Sequence, residues 1–136
     1  MKKLLTLLSA SGVATLFIAG SALAQTFPAT VVGTWTIRAN DTLPFTFTVQ
    51  NQSSDSPCAL IGGVIGGPDA LVGYYCPATG AVSFLRNSAN TGATFQVFTG
   101  QVSWAGTTNQ MTGNFTNYAG GDNTGAFSFS ASIPGS

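Results

Sequence analysis

The chain has 136 residues, and its four cations and four carboxylates come with no histidine. Once an N-terminal export signal is set aside, Arg38 and Arg86 stand against Asp41, Asp55, Asp69 and Asp122, a net charge of −2 with no Lys, Glu or His. Two arginines cannot displace the counterions on which nucleic-acid binding depends, and without His or Glu the usual general bases, zinc triads and Ser/His/Asp relays cannot be assembled. The composition therefore points away from a nucleic-acid partner, an enzyme, a metal site or a cofactor.

Residues 1–24 open with Lys2 and Lys3, continue through an apolar run from Leu4 to Ile18, and close on Ala22-Leu23-Ala24. That order is a secretory signal peptide with an A-x-A cleavage site, so the mature chain is expected to begin at Gln25. Ser9, Ser11 and Gly12 interrupt the apolar run, which argues against a retained membrane helix. No later segment is long and apolar enough to act as a transmembrane helix. The expected destination is the periplasm or the medium, where disulfides form. Residues 25–136 are the size of one domain with one core.

No segment has a helical period, whereas alternation of period two recurs along the chain. Phe45-Thr46-Phe47-Thr48-Val49-Gln50 and Phe127-Ser128-Phe129-Ser130-Ala131-Ser132-Ile133 are the clearest runs. The alternation and the turn-forming clusters between runs predict eight strands, at 31–38, 44–50, 57–65, 70–77, 80–86, 93–104, 109–117 and 125–133. Every connection is short, so consecutive strands lie side by side and antiparallel. Closing the meander into an up-and-down β-barrel removes both edges, which a chain so poor in lysine could not otherwise protect. The fold class expected is all-β, an eight-stranded antiparallel barrel.

Cys58 and Cys76 flank Gly66-Gly67-Pro68-Asp69 symmetrically. A hairpin turning there sets the two cysteines opposite each other, with Leu60 facing Tyr74 and Gly62 facing Val72. A structural disulfide follows. A redox-active pair would call for C-x-x-C spacing or a nearby cation, and neither is present. Along the sixth strand Gln96, Phe98, Val102 and Trp104 share one side, and Phe95, Val97 and Thr99 the other. Bulk on both faces is consistent with a second copy covering the outside, a homo-oligomer, or with a lone exposed phenylalanine of the kind monomers tolerate.

In such a barrel the loops after odd-numbered strands share one mouth. Arg38, Asp41, Asp69, Arg86 and Asp122 all fall on that rim, and Asp55 falls at the other end. Polar groups gathered over an apolar interior are the usual form of a small-ligand site, although loops collect charge for solvation alone. The site read from the sequence has Trp35, Phe84 and Phe98 as walls, with Trp104 as a further aromatic. Asp41, Arg86, Thr94 and Gln96 are its orienting polar groups. Gly120-Gly121-Asp122-Asn123 offers a single carboxylate, fewer oxygens than calcium takes.

Gly33-Thr34-Trp35, Gly73-Tyr74-Tyr75, Val82-Ser83-Phe84 with Arg86-Asn87, and Phe98-Thr99-Gly100-Gln101 together resemble the avidin and streptavidin barrels, in order and spacing, over most of the mature chain. The resemblance implies an eight-stranded barrel, assembled in pairs or tetramers, with biotin in its mouth. The biotin-binding positions differ. Ile37 stands where the family has Asn, Gln96 replaces one of two sixth-strand hydroxyls while Thr94 keeps the other, Met111 replaces a Trp, and Phe127 replaces an Asp. Each hydrogen bond so lost would cost roughly 1–3 kcal/mol, so tight biotin binding is not expected.

These readings converge on a secreted or periplasmic, non-enzymatic barrel that binds a small apolar or amphipathic molecule in its mouth. The alternative is an extracellular structural, adhesion or matrix protein whose surface, poor in charge and rich in Thr, Ser, Asn and Gly, promotes lateral association. A hydrolase would have to work with Asp41 or Asp122 and Tyr74, Tyr75 or Tyr118, a pairing that no spacing favours.

Overall fold

Alternating apolar and polar residues build the whole molecule. The computed structural model describes residues 27–40, 44–88, 94–119 and 125–134. Within them lie eight strands, β1 (Gly33–Ala39), β2 (Phe45–Gln52), β3 (Ala59–Ile65), β4 (Asp69–Cys76), β5 (Ala81–Asn87), β6 (Phe95–Ala105), β7 (Thr108–Ala119) and β8 (Gly125–Pro134). They form a closed antiparallel barrel in chain order. The seal is the pairing of β1 with β8, Thr36 to Ala39 against Ser132 to Phe129. Among the described residues no helix is long and apolar enough to cross a membrane.

Strand bounds lie within two residues of those the alternation predicts. The first strand starts later, at Gly33, because Val31 leaves the ladder and donates its backbone N–H to Gln52 Oε1 at 3.0 Å instead. The β3–β4 hairpin has the expected register, Leu60 opposite Tyr74 and Gly62 opposite Val72. The Cys58–Cys76 disulfide ties its open end.

Two ends follow from the meander. The base holds the β2–β3, β4–β5 and β6–β7 turns, and it is plugged by residues 27–32. Gln52 Nε2 donates to Ala29 O at 3.0 Å, Tyr75 Oη to Pro28 O at 2.5 Å, and Trp35 Nε1 to Val31 O at 2.9 Å. Gly80 allows the plug to seat: its φ is 71°, and a Cβ there would lie 2.4 Å from the Phe27 ring. The mouth lies at the other end, where β1, β3, β5 and β7 finish.

The interior is aromatic. Phe47, Phe84, Phe98, Phe115 and Phe129 are buried with Trp35 and Tyr75, each phenylalanine contributing about 1.5–3 kcal/mol of transfer free energy. Outside, Leu60, Val72 and Tyr74 are exposed on β3 and β4. In register with Val72, Leu85 and Val97 extend this apolar row to β6.

Burial also perturbs one ionisable group at the base. Tyr75 is wholly shielded, and desolvation raises its pKa from 10.0 to about 12. The folded phenol keeps its proton where the unfolded one has lost it. Stability intact below pH 10 is therefore expected to fall by about 1.4 kcal/mol per pH unit between pH 10 and about 12. Urea titrations across that window should show this slope in the wild type and lose it in Tyr75→Phe.

Candidate functional site

Cross-strand register brings one polar and one aromatic row together at the mouth. Phe84, Phe98, Phe115 and Phe127 are successive partners from β5 to β8. Adjacent ring centroids are 4.7, 5.0 and 5.3 Å apart, with interplanar angles of 11°, 19° and 33°. On β4 this row begins at Gly73, where a Cβ would sit 2.1 Å from Ser83 O and 2.5 Å from Phe84 Cα, so a side chain there would force the β5 backbone away. Two residues nearer the mouth, Arg86, Gln96 and Asn117 form the parallel row.

Arg86 is anchored rather than loose. Its Nε donates to Asp69 Oδ2 at 2.6 Å and its Nη1 to Gln96 Oε1 at 3.5 Å. Their side chains retain 19% and 9% of their exposure, Arg86 and Asp69 respectively. The Gly66–Pro68 turn closes over the guanidinium, since a Cβ on Gly66 would lie 2.7 Å from Nη2. The pair is thus a neutral, oriented unit. Removing the carboxylate alone, as in Asp69→Leu, is expected to cost about 2 kcal/mol, less than the 3–5 of a sealed pair because the cation still reaches solvent. The double variant Asp69→Leu with Arg86→Met should recover most of that loss in a denaturation cycle.

Above the aromatic row opens a depression of about 190 Å³, lined by Ala39, Asn40, Phe45, Arg86, Gln96, Phe115, Asn117 and Phe127. Of the residues the sequence suggested for the site, Arg86 and Gln96 meet here. Trp35, Phe84 and Phe98 point inward but lie beneath it, each at most 2% exposed, so they support the floor and do not line the opening. Trp35 stacks on Phe47, with centroids 5.9 Å apart, toward the base. Thr94 precedes β6 and accepts from Ser88 N through its carbonyl at 3.1 Å. Asp41 and the rim residue Asp122 lie outside the described residues.

Two expectations are corrected. Trp104 is not an interior wall: it sits at the base end of the β6–β7 hairpin and is 48% exposed. Arg38 does not turn into the mouth, because alternation on β1 buries Ile37 and Ala39 and sends Arg38 outward. There it borders a shallow outer groove of about 260 Å³ with Thr36, Gln110, Thr112, Ser130 and Ser132. Phe45, Phe115, Asn117 and Phe127 were not singled out as mouth residues from sequence. The available signal was their inward parity combined with nearness to the mouth end of their strands.

The arrangement defines a class, a small closed barrel whose base is plugged and whose mouth sets a neutralised ion pair and three carboxamides over stacked rings. Among the described residues no group of three His, Cys, Asp or Glu could hold a metal ion. No protein-family model matches the chain, and comparison with curated proteins finds no match.

Proposed function

We propose that the chain is a secreted, non-enzymatic barrel that binds a small molecule at its mouth, an avidin-like binder that does not hold biotin tightly. The observation that carries this reading is the polar row Arg86–Gln96–Asn117, braced by Asp69, directly above the phenylalanine row at the end opposite the plug. Convergent polar groups over an apolar floor are how small-ligand sites are built. Closed eight-stranded topology supports the avidin-like part of the reading, and the filled interior supports a ligand seated at the rim instead of deep in the barrel. The signal-like pattern of residues 1–24 and the disulfide support an oxidising compartment outside the cytoplasm.

Native mass spectrometry of the protein isolated from its own source tests the proposal. A retained small molecule is expected, and Gln96→Leu should weaken its retention while the circular-dichroism spectrum stays that of the wild type. Biotin titration should leave Trp fluorescence and melting temperature unchanged.

One observation favours the second reading, a structural or adhesive surface. The outer faces of β2, β1, β8 and β7 carry Thr46, Thr36, Ser132 and Gln110 in one continuous register row. Repeated preparations with empty barrels, together with concentration-dependent polymerisation in light scattering, would favour this role over the carrier.

A further inference from the structure

We infer that the mouth takes an uncharged, flat aromatic molecule with a carboxamide-type edge, its ring extending the phenylalanine row and its edge bonding to the rim amides. The inference rests on the proposed binding role and names the class of ligand for that site. Three observations among the described residues carry it: the direction of the ring stack, the mutual neutralisation of Asp69 and Arg86, and the size of the depression.

The stack runs from the sealed interior outward. Phe98 is fully buried, Phe115 is 5% exposed, and Phe127 is only partly buried at the edge of the core. Phe115 and Phe127 both line the depression, and Phe45 faces it from β2. The row therefore ends on ring surface that no side chain of the described residues buries completely. Aromatic pairs prefer offset or edge contacts and gain beyond the area they cover, so a planar ring seated here adds a further member, whereas a saturated ring gains area alone.

The Asp69–Arg86 pair offers a ligand no net charge. Two of the five N–H donors of Arg86 are bonded, Nε to Asp69 Oδ2 and Nη1 to Gln96 Oε1, and a carboxylate bound to the others would share a cation that the Asp69 carboxylate already neutralises. An incoming cation would meet a carboxylate already occupied and a guanidinium beside it. Because Gln96 accepts from Arg86 through Oε1, its Nε2 donors are directed away from the guanidinium. Asn40 and Asn117 add amide edges to the same opening. An amide carbonyl and N–H on the ligand match such a set without bringing formal charge. The depression that the described residues form is about 190 Å³, below the roughly 300 Å³ at which drug-sized pockets begin and of a size to seat a single small ring system.

Three probes of similar size separate the possibilities: benzamide, cyclohexanecarboxamide and benzoate, each titrated into the full mature chain and followed by the side-chain amide signals of Gln96 and Asn117. Benzamide is expected to shift both signals and to bind about five- to tenfold more tightly than cyclohexanecarboxamide, the factor that ring-on-ring contact supplies. Benzoate is expected to bind more weakly than benzamide. Phe127→Leu should bring the two amides to equal affinity while Trp35 fluorescence stays as in the wild type. Equal binding of the two amides by the wild type, tightest binding of benzoate, or an unchanged preference in Phe127→Leu would overturn the inference and leave the binding role standing. No shift with any probe would overturn the inference too, and joined with empty barrels in native mass spectrometry it would remove the binding role itself.

Discussion

Phe98→Ala is expected to cost about 3–5 kcal/mol, a large part of the 5–15 kcal/mol that holds a domain of this size together. Phe98 is wholly shielded and touches three other rings, Phe84, Phe115 and Phe129, with centroids 4.7, 5.0 and 5.3 Å away. Truncation removes the transfer free energy of the ring and leaves a void that a closed sheet cannot collapse to fill, because each wall strand is hydrogen-bonded on both sides. Urea unfolding gives the size of the loss. Phe98→Leu should lose less, about 1–2 kcal/mol, since it keeps most of the volume. Benzene added to Phe98→Ala should restore part of the stability, as an apolar cavity lined by rings stays dry and accepts it. A loss below about 1 kcal/mol would mean that the phenylalanine row does not organise the core.

Reducing the Cys58–Cys76 disulfide is expected to cost about 3 kcal/mol, by the entropy regained in a loop of roughly 19 residues. For a domain near 100 residues this corresponds to a melting temperature lower by roughly 10–15 °C. The effect should be uneven. Cys58 precedes β3 directly and Cys76 ends β4, so amide exchange should accelerate first at Ala59 and Tyr75, at the open end of the hairpin. The turn over Arg86, at the far end of the same hairpin, should follow only with global unfolding. The double variant Cys58→Ser with Cys76→Ser should reproduce the reduced wild type in scanning calorimetry.

The fold was legible because its signals are local. Alternation at Phe45–Gln50 and Phe127–Ile133 assigns strands without reference to the rest of the chain, and two cysteines placed symmetrically about Gly67 give the register of one hairpin. Short connections then leave little choice of topology. The candidate site was legible only in part. Parity tells that Trp35, Phe84 and Phe98 point inward, but not how far below the rim they lie. Depth depends on the stagger between neighbouring strands, which accumulates around the whole barrel and includes the shifts between Val49 and Asn51 and between Phe95 and Gln96. Arg86 and Asp69 were placed on the rim by strand count, whereas their pairing depends on β4 and β5 being adjacent at the right offset. The plug at residues 27–32 carried no local signal. Its capture by Gln52 and Tyr75 is a matter of side chains 21 to 47 residues away.

Phe27, in the plug, and Pro134, at the close of β8, both lie at the base. A surface linkage made at Phe27 or at Pro134 therefore approaches from the side opposite the opening. Molecules immobilised at these two residues would stand with the Arg86 rim facing the solution, and joining Phe27 to Pro134 through a short linker, with a new break in the Gly106–Thr107 turn, would permute the sequence without rearranging the rim.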